Sequence, residues 1–283
     1  MKTILLGTGG PKPDPDRMGP AALVEAAGLR LLFDAGRGAC AQLVRAGVRP
    51  EDLDAVFVTH HHFDHIASLD DVMLSAWNNG RRRPLPVFGP PGTAAIVAAL
   101  FDTVYGADIA FRRREAKLTG NTLADVRELV PVSDIDAGVA LDDSACLVRA
   151  ERVEHGHGLG ISQEEWCCLG FRIEAAGKVV AISGDTVACD GLHRLAANAD
   201  LLVQCCYFAE AEIVDREHEI IAAYILASSG AVGKIAAQAG VGTLALTHLR
   251  RKSEDLLRQV ENDARRDFDG QVLVGHDLME IEV

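Results

Sequence analysis

The chain has 283 residues, 48% of them apolar and 24% charged, with 41 acidic against 28 basic side chains and a formal net charge of −13. These proportions are those of an ordinary folded protein and exclude a disordered, fibrous or collagen-like chain. The acidic surplus repels a polyanion unless cations are gathered locally, so nucleic acid is not expected as a partner.

In chain order, Thr3 to Leu6 predicts a short strand, and the loop from Gly7 to Asp16 follows, where glycines and prolines interrupt regular structure. Its Gly7-Thr8-Gly9-Gly10 run carries little weight alone as a phosphate loop. Ala21 to Glu25 and Leu29 to Asp34 predict a strand pair, and Ala39 to Ala46 a helix ended by Gly47. The apolar run Asp54 to Thr59 predicts a strand, and Ile66 to Trp77 has helical spacing. A strand at Pro86 to Phe88 and a helix at Gly92 to Leu100 come next, while 101–143 shows no readable period. Further strands are expected at Leu147 to Glu154, Cys168 to Glu174, Lys178 to Ile182, Asp200 to Gln204 and Thr243 to Thr247. Helices are expected at Asp190 to Ala197, Glu217 to Ala227, Gly230 to Gln238 and Ser253 to Phe268. Interleaved strands and helices without a Ser/Gly-rich linker predict one α/β domain over residues 1–283.

The longest apolar stretch, Ile220 to Val232, falls short of the ~20 residues that cross a bilayer, so no membrane partner is expected. The start lacks the apolar run of a secretory signal, and the seven cysteines show no CxxC spacing; a cytoplasmic protein with reduced thiols is the expectation. Arg81 to Arg83 and Arg112 to Arg114 are the two arginine triplets, and without interleaved aromatics they are expected to be solvated surface.

The segment Thr59-His60-His61-His62-Phe63-Asp64-His65 carries the chemistry. His60, His62, Asp64 and His65 are good metal ligands, and a turn after a strand can fan them toward one point. One such histidine would ordinarily be structural; this density is not explained by packing.

The pattern His60-x-His62-x-Asp64-His65 resembles the HxHxDH signature of the metallo-β-lactamase superfamily. The resemblance implies an αββα sandwich and a hydrolase with two divalent ions. Zinc is expected, with manganese or iron as alternatives. It also implies three later ligands, matched here by His155, by Asp185 in Ser183-Gly184-Asp185-Thr186, and by His248 in Leu246-Thr247-His248. His157 competes for the role of His155. By resemblance, His60, His62, His155 and Asp185 hold one ion, and Asp64, His65, Asp185 and His248 the other. Two ions ~3.5–4 Å apart can share a water, lower its pKa and clamp both oxygens of a displacement, so that hydroxide is the nucleophile. Asp34 reads equally as a partner that orients an imidazole and as a turn residue before Gly36.

The chain is most similar to the ribonuclease Z and arylsulfatase-like branch, through Leu6-Gly7-Thr8-Gly9 with Pro11 and Arg17, Leu32-Phe33-Asp34-Ala35-Gly36, the SGDT segment and Leu246-Thr247-His248. That branch implies cleavage of a phosphodiester, sulfate or related ester, here of a small molecule, and homodimers are common in it. Three features depart from a tRNA-processing enzyme. The interval between His155 and Asp185 leaves no room for the family's long RNA-gripping arm; its HST segment appears as Ala227-Ser228-Ser229, without the auxiliary histidine; and His248-Leu249-Arg250-Arg251 matches its HFSxR ending loosely. His218, beside Glu217 and Glu219, is the candidate replacement acid alongside catalytic Asp64. Trp166, Phe171, Tyr207 and Phe208 are candidates for a pocket lining. Two alternatives stand: a thioester or lactone hydrolase, since Thr59-His60-His61-His62 also resembles glyoxalase II, and a tRNA 3′-end endonuclease with a reduced RNA-binding surface.

Overall fold

The computed structural model describes residues 1–283. Its strands are β1 (Lys2–Gly7), β2 (Ala21–Ala26), β3 (Leu29–Phe33), β4 (Ala55–Phe57), β5 (Val87–Gly89), β6 (Val132–Asp134), β7 (Gly138–Asp143), β8 (Cys146–Arg152), β9 (Leu169–Ala175), β10 (Lys178–Ile182), β11 (Leu201–Cys205), β12 (Thr243–Thr247), β13 (Gln271–Val274) and β14 (Met279–Glu282). They form two seven-stranded sheets, ordered β14-β1-β2-β3-β4-β5-β6 and β13-β12-β11-β10-β9-β8-β7. The helices are α1 (Ala39–Arg45), α2 (Phe63–Ile66), α3 (Leu69–Asn78), α4 (Thr93–Ala99), α5 (Gly106–Leu118), α6 (Val126–Leu129), α7 (Asp190–Ala196), α8 (Arg216–Tyr224), α9 (Ser229–Ala239) and α10 (Glu254–Arg265).

The parallel pairs β3–β4 and β10–β11–β12 are covered on both faces, which is why Leu31-Leu32-Phe33, Ala55-Val56-Phe57 and Leu201-Leu202-Val203 are apolar without alternation. Between the sheets, Phe33 stacks on Phe57 at 4.9 Å and Phe171 meets both rings, so Phe171 is core rather than pocket lining. Leu43, Met73, Trp77 and Val97 of α1, α3 and α4 cover the outer face of the first sheet. Leu192, Leu195, Ile235 and Val260 of α7, α9 and α10 cover that of the second. Each such large side chain contributes ~1.5–3 kcal/mol of burial. The result is the αββα sandwich of the metallo-β-lactamase fold.

Several local expectations are corrected. The helix expected over Ile66 to Trp77 is two, α2 and α3, broken at Ala67-Ser68; its first turn starts inside the histidine cluster and winds Asp64 and His65 inward. The unreadable stretch holds α5, α6, β6 and β7; α5 buries only Ile109, and a helix solvated nearly all round has no apolar period to read. β13 and β14, four residues each, are not among the expected strands; β14 pairs with β1 (Thr3 opposite Ile281). Arg81 is not solvated: its buried guanidinium donates to the carbonyls of Glu51, Leu53, Arg83 and Pro84. No single helix is long and apolar enough to cross a membrane, and all seven cysteines are unpaired.

Candidate metal centre

Strand direction gathers the chemistry. β4, β10 and β12 end at one edge of the sandwich, and β8, antiparallel to β9 as β9 is to β10, ends there too. The residues just beyond these four ends are His60 to His65, His155, Asp185 and His248, and the structure brings all seven expected ligand side chains together.

They fall into two groups of converging donor atoms, His60, His62, His155 with Asp185, and Asp64, His65 with His248, within 4.8 Å inside each group. His60 Nε2 and His155 Nε2 lie 2.9 and 3.1 Å from His62 Nδ1. Asp185 reaches both groups: Oδ2 is 3.9 Å from His60 Nε2 and from His155 Nε2 and 3.2 Å from His248 Nε2, while Oδ1 is 3.4 Å from His65 Nε2. Asp64 Oδ2 sits 3.4 Å from His248 Nε2.

Buried polar atoms ordinarily find hydrogen-bond partners. Asp64 Oδ2, Asp185 Oδ1, His65 Nε2 and His248 Nε2 have none, and all four point into the same space. An N5O2 donor set of five imidazoles and two carboxylates, with orphaned lone pairs aimed inward, fits divalent ions of the zinc, manganese and iron type.

The opposite ring nitrogens are tied down. His65 Nδ1 lies 2.7 Å from Asp34 Oδ2, and Asp34 also accepts from the Thr59 amide and hydroxyl at 2.8 and 2.9 Å. Of the two readings of Asp34, orientation of an imidazole is the one its contacts support. His155 Nδ1 donates to the Ile225 carbonyl at 2.7 Å, leaving its Nε2 lone pair for the cluster. His157 does not join: its Nδ1 accepts from the His155 amide at 3.0 Å and its Nε2 donates to the Trp166 carbonyl at 2.8 Å, so it braces the backbone behind the ligand.

Electrostatics separates the groups. Burial pushes His60 well below the ordinary histidine range; burial, reinforced by His155, lowers His62 to about 4, and burial lowers His155 against the pull of Asp185. At His65 burial opposes the charge but Asp185 and Asp34 overcome it, and the imidazole is held well above its usual value. Asp185 is likewise held well below the carboxylate range, with His248 and His65 overcoming the cost of burial.

Backbone strain sits at the same place. Asp34 and His248 adopt φ of 57° and 58°, sparsely populated for side-chain-bearing residues. The Gly7-Thr8-Gly9-Gly10 loop is a wall of the site: a Cβ on Gly10 would stand 2.9 Å from the His248 ring, so only glycine lets that loop close over the imidazole. Of the expected aromatics, Trp166 lies 4.8 Å from the His62 ring and Tyr207 6.0 Å from the His248 ring. His218 is outside both groups: its ring packs on Phe208 at 4.9 Å, and its nearest carboxylate is Asp215 at 3.3 Å rather than Glu217 or Glu219. Position 227 is backed onto the Asp185 loop, the Ala227 amide donating to the Thr186 carbonyl at 3.1 Å, and alanine there offers no proton. The hydroxyls of Ser228 and Ser229 are spent on Glu210 and Asp263, each at 2.6 Å.

A family model described as beta-lactamase superfamily domain matches residues 29–249. A Mycobacterium bovis protein named Ribonuclease Z is 37% identical over 294 aligned positions, covering 100% of this chain and 98% of that one. A Mycobacterium tuberculosis protein of the same name is 35% identical with the same coverage. Among solved structures, the metallo-beta-lactamase fold protein YhfI from Bacillus subtilis superposes with TM-score 0.76 at 21% identity, covering 99% of this chain and 98% of its own. Human tRNase Z, short form, superposes with TM-score 0.71 at 21% identity, covering 100% and 99%. These relatives correct one expectation. With 294 aligned positions against 283 residues, the M. bovis protein has room for only about 11 extra residues, so it too lacks space for a long arm and nonetheless bears the name Ribonuclease Z. The short interval between His155 and Asp185 therefore does not set this chain apart from relatives of that name.

Proposed function

Since this chain belongs to the β-lactamase superfamily, in its ribonuclease Z family, and is a metal-dependent hydrolase of that fold, we propose that it cleaves phosphodiester bonds of RNA, with the 3′ end of precursor tRNA as the substrate. The observation that carries the reaction type is the convergence of unpaired buried donor atoms from Asp64, His65, Asp185 and His248 beside the three-histidine group.

Two divalent ions, zinc first among them, would be held by His60, His62, His155 and Asp185 and by Asp64, His65, Asp185 and His248, and would supply Lewis acidity and a water of lowered pKa. The rest is the work of the chain's own residues. With the ions bound, Asp185 and Asp64 would balance part of the positive charge and leave a net attraction for a phosphodiester anion. Asp34, through Thr59 and His65 Nδ1, and the Ile225 carbonyl, through His155 Nδ1, fix the tautomers that turn Nε2 inward. Gly10 lets its loop close over His248 on one side, and Trp166 packs beside His62 on the other.

A small phosphodiester is the second reading, favoured by Ala227 in place of a proton donor and by the net charge of −13. Metal-reconstituted protein assayed on a precursor tRNA and on matched p-nitrophenyl phosphodiester, sulfate, carboxylic ester and thioester substrates separates the readings. Cleavage at the tRNA 3′ end supports the first; turnover of the small phosphodiester alone selects the second. Preference for sulfate, carboxylic ester or thioester would remove both.

A further inference from the structure

Beside the three-histidine group lies a cavity of about 360 Å3, bounded by His62, His155, Leu159, Ile161, Trp166 and Ile225. Nothing in the hydrolytic chemistry requires it. Its volume is within the ~300–1,000 Å3 of small-molecule sites. Leu159 and Ile161 are 49% and 42% exposed there, unusual for large aliphatic side chains, and sit on the short segment between His155 and Asp185.

The cavity is built rather than incidental. His157 ties the His155 amide to the Trp166 carbonyl, at 3.0 and 2.8 Å, and Gln163 donates to the Val153 carbonyl at 3.0 Å. Gly156 donates to the Tyr224 carbonyl at 2.7 Å, and a Cβ on Gly158 would stand 2.3 Å from the Tyr224 ring, so the segment lies flat against α8. Trp166 is thereby held with its indole 4.8 Å from the His62 ring, half-buried and with part of its surface open.

Charge decides the occupant. No Lys or Arg lines the cavity, and Glu165, its one ionic group, accepts from the Ser162 amide at 2.9 Å. A phosphate would gain nothing here, whereas divalent ions held by the ligand groups next door would attract one. Taking the phosphodiester reading as given, the geometry points to a nucleobase subsite: a base attached to the scissile phosphate stacks on Trp166 with Leu159 and Ile161 along its edge. Every base offers a π-face, so the subsite reads flat shape and not sequence. It makes Trp166 a specificity-determining residue.

The test is equilibrium binding of adenosine 5′-monophosphate against ribose 5-phosphate to metal-loaded protein, with metal content measured alongside. Wild-type protein should prefer the nucleotide by about 5- to 160-fold, the range of one base–aromatic stack. Trp166→Ala and the double variant Leu159→Ala/Ile161→Ala should shrink that ratio toward 1 with metal content unchanged, and Trp166→Phe should restore most of it. Equal affinities in the wild type overturn the subsite. So does a Trp166→Ala variant that loses metal or weakens both ligands alike, since Trp166 would then only pack His62. A preserved ratio in a protein that turns over no phosphodiester supports the subsite and removes the reaction reading instead.

Discussion

The two donor groups of the site differ in how they meet water. His60, His62, His155 form the open group, with His62 exposed and the Trp166 cavity against it. Asp64, His65 and His248 form the closed group, all buried, walled by Gly10 and anchored by Asp34. The open group is neutral, its imidazoles kept proton-free by burial; the closed group is ionic, with His65 held protonated between Asp185 and Asp34 in the metal-free protein. One side opens to solvent and the other holds charge, and Asp185 alone reaches both.

Asp185 is therefore where the comparison breaks most completely. Asp185→Ala should remove both ions, read as metal content, and depress hydrolysis by well over the ~10- to 100-fold typical of losing an outer partner of a metal ligand. Asp64→Ala, His65→Ala and His248→Ala should lower the metal content by one ion and abolish hydrolysis while circular dichroism stays native. Full activity in Asp64→Ala or His65→Ala would remove the two-ion mechanism. Asp34→Asn keeps the shape but not the charge behind His65, and a loss of ~10- to 100-fold in affinity for the second ion is expected, with the open group unaffected.

How legible this was follows the same division. His60, His62, Asp64 and His65 lie within six residues, so a single turn after one strand already suggests their convergence. Asp185 and His248 each follow an apolar parallel strand, but nothing local distinguishes them from turn residues, and only the resemblance to a known family drew them in. His157 and His155 could not be separated from sequence because the deciding contacts are the Ile225 and Trp166 carbonyls, remote in chain or in turn geometry. The Trp166 cavity was hidden for the same reason: its walls come from β8's exit, the following segment and the end of α8. The role of the glycine-rich loop was equally hidden, since Gly7 stands against the Gly19 carbonyl and Gly10 against the His248 ring, contacts that only the fold creates.

Proton competition sharpens the contrast further. A metal entering the closed group must displace the Nε2 proton of the His65 imidazolium that the Asp185 and Asp34 charges stabilise, while the Nδ1 proton stays at Asp34. Its affinity should therefore rise about tenfold per pH unit below that raised pKa. Burial holds all three imidazoles of the open group below the usual histidine range, His62 at about 4, so its affinity should be flat between pH 7 and 8. Competition titrations with a chelator at three pH values would show two ions with different slopes; equal slopes would mean that the ionic and neutral halves are not distinct.

The smallest effect is expected at His218. A replacement acid must come within hydrogen-bond reach, ~2.6–3.2 Å, of the group it protonates. His218 instead rests on Phe208 with Asp215 at its Nδ1, and Phe208 and Tyr207 stand between it and His248. His218→Ala should cost ~0.5–1.5 kcal/mol of stability, the value of an aromatic pair, and change kcat less than about twofold. Loss of the basic limb of the pH–rate profile in that variant would assign the proton donor to α8, and would require Tyr207 and Phe208 to move aside when substrate binds.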